Sequence, residues 1–474
     1  MHLIPAMILM AASSPNSVHV TVDEPFSVAA SATQNVTAIA ETTDLFTALA
    51  DADTVIMHDF ALDLDTRVTL DLERRHIVKD NATLRLNENG TMDAPNVVML
   101  GGTVAGDSES LVYIAFSENM TLGYINTLGE QYVISSGPSY GDNETVIYNM
   151  AELPEGAINF RDFACKAIPV PEEFRTQGTG SPNLAHMGSP PCRVVDVAIE
   201  TDTEFRTDLF GGNAGDAADY AEMLVGAVSE VYEQDLNVIL NISFLRIWTT
   251  PDPWNQNGGT VDQLFQFQDY WNANMTGEQR HGAHFLSGRG LGGGVAYLNA
   301  ICADEFDYAL SANLNGFFPY PLQDQSDQNW DFMVTAHEWG HNFGAPHTHQ
   351  QSPFSNIDNC GNGDCSQLPG TIMSYCHLCG NGTGDVNLNF HPQNINSWML
   401  PYLDNDAPCD LTGDPLCNSD CLADVNGDGA VTPTDFTAWV NAYNNNAPEC
   451  DQNGDGACTP TDFTAWVNNY NAGC

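Results

Sequence analysis

Between residues 20 and 165 the apolar positions come in short runs. Val68-Thr69-Leu70-Asp71-Leu72 alternates apolar with polar, Val97-Val98-Met99-Leu100 and Leu111-Val112-Tyr113-Ile114-Ala115-Phe116 are continuous, and Gly, Asn and Asp separate them. Short β-branched and aromatic stretches between turn formers predict strands, so this region is expected to be β-rich. The pattern changes after residue 192. Residues 192–200 read as an apolar strand, and residues 217–235 carry Met223, Leu224, Ala227, Val228 and Val231 on one side at helical spacing. Residues 238–240 and 245–248 are strand-like again; residues 284–289, a glycine turn at 292–294 and residues 295–298 follow. Strands alternating with helices predict an α/β domain with a mostly parallel sheet. An edge strand there could bind an extended peptide through main-chain hydrogen bonds.

The breaks between patterns suggest boundaries. Residues 3–12 form a short apolar run followed by Ser13-Ser14-Pro15, which reads as a secretory signal, so 1–19 is expected to be a leader. The β-rich region spans 20–165. Residues 166–191 are Pro- and Gly-rich and read as an exposed linker and activation region. The α/β domain spans 192–403, a second linker 404–420, and a small repeat module 421–474. No other run approaches the ~18 apolar residues of a membrane span.

Charge narrows the function. The 474 residues carry 62 acidic and 13 basic side chains, a formal charge of −49. Phosphates would be repelled, which excludes a nucleic-acid binder and disfavours an anionic membrane surface. The 13 cysteines favour an oxidising compartment. Six lie within 192–379 and six in the last 66 residues, so each group could pair internally, and Cys165 stands alone.

The chemistry centres on His337-Glu338-Trp339-Gly340-His341-Asn342-Phe343-Gly344-Ala345-Pro346-His347. Residues four apart share a helix face, so His337 and His341 can present two imidazoles to one cation. Gly344 allows the positive φ that ends the helix, and His347 supplies a third nitrogen. Three neutral nitrogens leave one position open, the arrangement of a single catalytic zinc. Glu338 points about 100° around the helix, free to act on water. Met373, in Gly370-Thr371-Ile372-Met373-Ser374-Tyr375, can form an apolar floor below the metal. Cys165 could close the open position as an inhibitory thiolate. Its context, Phe163-Ala164-Cys165-Lys166, matches no known cysteine-switch pattern, so parity and position alone point to it. A protease must be kept quiet until export, which makes 20–165 an inhibitory pro-region; an accessory β-domain without regulatory role is the other reading.

The carboxyl end is a separate signal. Two twelve-residue loops start at Asp424 and Asp451, and TPTDFTAWVN is identical at 432–441 and 459–468. Asp424, Asn426, Asp428 and Asp435 in the first loop, and Asp451, Asn453, Asp455 and Asp462 in the second, provide oxygens at positions 1, 3, 5 and 12. The carbonyls of Ala430 and Ala457 would fill position 7, and Thr432 and Thr459 position 9, giving two calcium sites. One helix follows each loop (436–443 and 463–470), and none precedes it.

Residues 193–403 resemble the reprolysin (adamalysin) branch of the metzincin zinc proteases. The resemblance rests on HEWGHNFGAPH at 337–347, TIMSYC at 371–376 and HFLSGRGLGGGVAYLNAIC at 284–302. It implies a five-stranded twisted sheet, an active-site helix, a smaller lower subdomain and secreted cleavage of internal peptide bonds. That family commonly has Asp after the third His, where this chain has Thr348 and His349. Tyr375 is expected to serve packing. The tail resembles a dockerin, which implies a cohesin-like partner on a scaffold or cell surface; a stability cap without a partner is the other reading.

The expected protein is thus multidomain: a β-rich N-terminal pro-region, an α/β metzincin catalytic domain and a small α dockerin-like calcium module. It is expected to act as a secreted or cell-surface zinc endopeptidase made as a zymogen. The alternative is a catalytically silent surface-binding protein that retains a zinc fold.

Overall fold

The described residues before Cys165 form thirteen strands: β1 (Leu9–Ala12), β2 (Val18–Asp23), β3 (Phe26–Ala30), β4 (Val36–Glu41), β5 (Thr54–Ala61), β6 (Arg67–Arg75), β7 (Val78–Leu86), β8 (Gly90–Thr91), β9 (Val98–Val104), β10 (Asp107–Phe116), β11 (Thr121–Thr127), β12 (Glu130–Ser135) and β13 (Val146–Asn149). A single turn of helix, α1 (Leu45–Ala48), precedes β5. All but β7 and β8 join one 11-stranded sheet, in the order β1-β2-β5-β6-β9-β10-β11-β12-β13-β4-β3. The computed structural model describes residues 9–12, 18–31, 35–137, 145–153, 165–171, 190–255, 258–317, 330–380, 382–412, 417, 422–423, 425–426, 433–445, 447–452 and 458–472. The part of the leader-like run that falls within these residues is the edge strand β1, paired antiparallel with β2.

The continuous apolar run of β10 has a two-faced destination. Val112, Ile114 and Phe116 pack with Val55, Leu70 and Leu100 in a core internal to this sheet. Leu111, Tyr113 and Ala115 point the other way, into the main core of the molecule. Alternate residues of a strand face opposite sides, so an unbroken apolar run needs cover on both.

That second cover is the α/β domain. Its strands are β14 (Lys166–Pro169), β15 (Arg193–Thr201), β16 (Val238–Ile247), β17 (Gly282–Leu286), β18 (Gly294–Leu298) and β19 (Tyr308–Ser311). The sheet order is β14-β18-β19-β17-β15-β16-β7-β8. Pairing is parallel except between β18 and β19 and between β7 and β8. Helices α2 (Thr203–Leu209), α3 (Ala214–Leu236), α4 (Thr260–Asn274) and α5 (Trp330–Asn342) accompany it. Asn213 caps α3 through its side chain, and Asn237, at φ 54°, ends it in the left-handed region.

Three expectations need correction. The β-rich region expected over 20–165 does not keep all its strands to itself, because β7 pairs with β16 of the α/β sheet. The expected linker at 166–191 begins instead as β14, paired with β18, and Val170 behind it is buried. The two cysteine groups do not each pair internally: Cys192–Cys417 and Cys302–Cys409 cross between them. Cys360–Cys376, Cys365–Cys379 and Cys450–Cys458 do pair within their groups. The crossing pairs staple the expected second linker to the α/β domain, and Leu411 accepts a main-chain hydrogen bond of 2.9 Å from Val194. Parity permits such pairings but cannot choose among them.

After the active-site region the chain makes a short helix, α6 (Pro392–Asn394), with π-helical turns at Ile395–Met399 and Tyr402–Asp406. The tail then supplies α7 (Pro433–Asn445) and α8 (Pro460–Ala472).

Burial of α3 leaves a signature in pH. Burial, with repulsion from Asp219 added and attraction from Arg74 opposing, pushes the Glu222 carboxyl up to about 8. A carboxyl raised on folding favours the fold fully below its unfolded pKa, and that contribution is lost as pH rises through the folded value. The melting temperature at constant calcium is therefore expected to fall between about pH 5 and pH 8, and Glu222→Gln to flatten the fall. A wild-type melting temperature that climbs across this window, followed by scanning calorimetry, would contradict it.

Candidate active site

Every residue of α5 is buried, so the helix is held on all sides. Asn342 ties its end to the sheet, donating from Nδ2 to the carbonyls of Tyr297 (2.8 Å) and Tyr308 (3.2 Å). Gly344, at φ 101°, then turns the chain. A Cβ on Gly340 would meet Met373 Sδ at 2.4 Å, so only glycine lets the helix settle on the turn that carries Met373.

The helix and turn bring His337, His341 and His347 together, with one ligand nitrogen from each inside 4.8 Å of the others. All three are buried. Their outer nitrogens are spoken for. His337 Nδ1 donates to the Ile372 carbonyl (2.7 Å), His341 Nδ1 to the Ala345 carbonyl (2.7 Å) and His347 Nδ1 to Gln350 Oε1 (3.1 Å). With the proton on Nδ1, each Nε2 carries a lone pair. Burial also pushes the His347 pKa down to about 4 and holds those of His337 and His341 well below the ordinary imidazole value, so the rings are neutral at pH 7.

His341 Nε2 nevertheless lies 3.1 Å from His347 Nε2, and His337 Nε2 has no hydrogen-bond partner. Two lone pairs at that range repel unless a cation sits between them. Tetrahedral zinc with bonds of ~2.0–2.1 Å separates its nitrogens by roughly 3.3 Å, so the donor set fits zinc. Glu338 is fully buried, and the Cys165 thiol is the polar group its carboxylate meets. Burial holds its pKa well above the ordinary carboxylate range.

Cys165 reaches this centre. It is buried and outside any disulfide, and its Sγ lies within 4.8 Å of a His337 nitrogen and a Glu338 oxygen. From there β14 runs along β18, Lys166 opposite Val295 through Pro169 opposite Leu298. The edge strand expected to receive a peptide thus carries a segment of its own chain. Tyr375 does more than pack: its hydroxyl donates to the Cys165 carbonyl, and its ring lies 4.7 Å from that of His347.

Sequence reading missed the groups that orient the imidazoles. Ile372 and Ala345 act through backbone carbonyls, which carry no residue signature; Gln350, three residues after His347, was the only one with a side chain to notice. Where the family's Asp was expected, the Thr348 amide donates to the Met373 carbonyl (3.1 Å), and His349 stacks parallel on His347 at 5.2 Å.

In the tail, Asp435 and Asp462 are buried and close their loops. The Asn426 amide donates to Asp435 (3.1 Å), and the Gln452 and Thr459 amides donate to Asp462 (3.0 and 2.7 Å). Asp451 is also among the described residues; Asp424, Asp428, Ala430, Thr432, Asn453, Asp455 and Ala457 lie outside them. Trp439 of the first repeat donates its indole N–H to the Cys450 carbonyl (3.1 Å), just before the second loop. Trp466 of the second donates to Ala423 (3.3 Å), just before the first.

Residues 192–383 match the metallo-peptidase family M12 (reprolysin) profile. Snake venom metalloproteinase TM-1 of Protobothrops mucrosquamatus is 30% identical over 162 residues, covering 33% of this chain and 74% of that protein. The chain belongs to metallo-peptidase family M12. It is a metalloendopeptidase by that membership, and M12 enzymes use zinc. Zinc metalloproteinase-disintegrin-like brevilysin H2a of Gloydius brevicauda is 25% identical, over 48% of this chain and 51% of that protein. Human disintegrin and metalloproteinase domain-containing protein 9 is 27% identical over 33% of this chain and 18% of its own length. Residues 422–470 match a dockerin type I domain, a module that binds calcium. An M12 domain with three imidazoles and Glu338 in place weighs against a silent surface-binding protein. Among the described residues no helix is long and apolar enough to cross a membrane.

Proposed function

We propose that this protein is a secreted zinc endopeptidase, made as a zymogen and anchored through its tail. His337, His341 and His347 hold one zinc ion and Glu338 is the general base. The observation that carries this reading is the pair of Nε2 lone pairs 3.1 Å apart beside a fully buried carboxylate. When bound, zinc polarises the scissile carbonyl and makes water acidic enough to attack near neutral pH.

The chain's own groups do the rest. The Nδ1 hydrogen bonds fix the imidazoles with Nε2 inward, so no reorientation is needed on binding. Once β14 leaves, an extended peptide takes its place along β18, held by the same main-chain groups. Glu338 takes a proton from the attacking water and passes it to the departing amine. Until then Cys165 fills the site as the inhibitory ligand. Cutting between β14 and β15 frees β14, and the Tyr375 hydroxyl loses its Cys165 partner in the same step.

The test is zinc content together with casein digestion by the processed form, with and without a chelator. One zinc per chain and chelator-sensitive digestion are expected; digestion by metal-free protein would sink the assignment.

The tail reads as two calcium sites closed by Asp435 and Asp462, docking to a cohesin-like partner. A 50-residue module buries little core by itself, so calcium is expected to hold it together. Calcium removal should abolish the near-ultraviolet signal of Trp439 and Trp466 in the isolated tail and change casein cleavage by less than about twofold in the full chain. An unchanged tail spectrum in excess chelator would argue against calcium-dependent folding.

A further inference from the structure

We propose that the N-terminal region is a permanent layer of the enzyme: after a cut between β14 and β15 the two fragments remain one non-covalent assembly, and only the β14 segment leaves the groove. This goes beyond the zymogen reading, in which the upstream region need only depart.

Helix α3 is where the two regions meet. From Asp216 to Tyr232 every residue except Asp219 is buried, whereas a helix on one sheet buries one stripe. Two stripes are in use here. Asp216, Asp219, Met223, Gly226, Ala227 and Glu230 recur at three- and four-residue intervals and face the 11-stranded sheet. Asn119 donates to the Asp216 carboxylate (3.0 Å) and the Asn96 amide to that of Asp219 (2.9 Å). The hydroxyls of Tyr113 and Tyr124 donate to the carbonyls of Met223 (2.7 Å) and Ala227 (2.9 Å). Arg75 Nε donates to Glu230 at 2.6 Å, and a Cβ on Gly226 would meet Met99 and Tyr113 at 2.7 Å. The opposite stripe serves the protease domain: Tyr220 donates to Asp331 (2.7 Å), Tyr232 to the Ala336 carbonyl (2.9 Å), and Ser229 accepts from the Leu240 amide (3.0 Å). Departure of the upstream region would strip one whole side of a central helix and leave Glu230 buried without its cation.

A second grip lies at the far edge of the protease sheet. There β7 extends the sheet by a parallel ladder from Ile242 opposite Val78 to Ile247 opposite Leu86. Lys79 pairs with Asp196 at 2.7 Å, Arg85 pairs with Glu278, and Asn87 accepts from the amides of Thr249 and Thr250 (2.9 Å each). With Arg75, three of the chain's 13 basic residues are spent across this junction. The inhibitory β14 occupies the other edge, four residues long, so it can leave without disturbing either grip.

No covalent link would confuse a test, because Cys165 is the only cysteine before Cys192 and it forms no disulfide. The experiment replaces part of residues 172–189 of the full-length chain with a site-specific protease sequence, cuts it, and runs gel filtration at nanomolar concentration beside a denaturing gel. Both fragments are expected in one native peak at the 51.4 kDa of the uncut chain. Hydrogen exchange over 214–236 and 238–247 should match the uncut protein within about twofold. Separate native peaks, or exchange over α3 rising tenfold or more after the cut, would overturn the proposal. Activity plays no part in this readout: a cut assembly that stays together yet digests no casein would count against the zymogen reading and leave this one standing.

Discussion

Glu338→Gln is expected to lower kcat by about 10²–10⁴-fold, the usual worth of a positioned general base, while zinc content stays at one per chain. The two side chains have the same shape, and the polar neighbour of the Glu338 carboxyl is the Cys165 thiol, so the substitution breaks no contact that holds the fold. What it removes is the group that accepts a proton. The ligand nitrogens are oriented independently, by Ile372, Ala345 and Gln350, so metal affinity has no reason to follow activity. KM should move little, because peptide binding depends on the β18 main chain. Measured kcat, KM and bound zinc on the processed variant decide this. Turnover within a few fold of wild type would mean that another group moves the proton.

Cys165→Ala in the uncut chain is expected to raise casein digestion at least about tenfold over the latent wild type. Sulfur is a strong zinc ligand, and its loss leaves only the short β14 ladder and the Tyr375 hydrogen bond over the site. Activation should be partial, since those contacts survive. Adding Ala167→Pro, which deletes an amide from β14, should release more. If Cys165→Ala stays fully latent while cut protein is active, the strand alone blocks the groove. Burial pushes the Cys165 thiol well above its ordinary pKa, with the nearby Glu338 carboxyl adding to the rise. A bound divalent ion reverses that balance and stabilises the thiolate, which is why latency and zinc loading should be measured on one preparation.

The metal centre was legible because its parts are local. His337, Glu338, His341 and His347 lie within eleven residues, and helical periodicity plus one glycine turn fixes where they meet. Met373 followed the same logic. The upstream half was legible as strands and not as topology. Residues 78–86 alternate and carry polar groups like any half-exposed strand, and nothing in them names the sheet they join. The partner of β7 is set by α3, more than 120 residues away, which both sheets need in order to bury their apolar faces. Lys166-Ala167-Ile168-Pro169 was hidden by Pro169 and the following Pro171: prolines punctuate a linker in sequence, yet a four-residue edge strand can end on one. The cysteine pairing failed for a related reason, since Cys409 and Cys417 are each bonded back to the protease domain, to Cys302 and Cys192.

The exchanged indoles of the tail have a consequence of their own. Because Trp439 latches the entrance of the later loop and Trp466 that of the earlier one, neither half can become ordered while the other stays slack. Ion uptake should therefore be sigmoidal, switching the module over a narrow range of calcium rather than filling it stepwise. Such a fastening would let go all at once when the surrounding water is depleted of the ion.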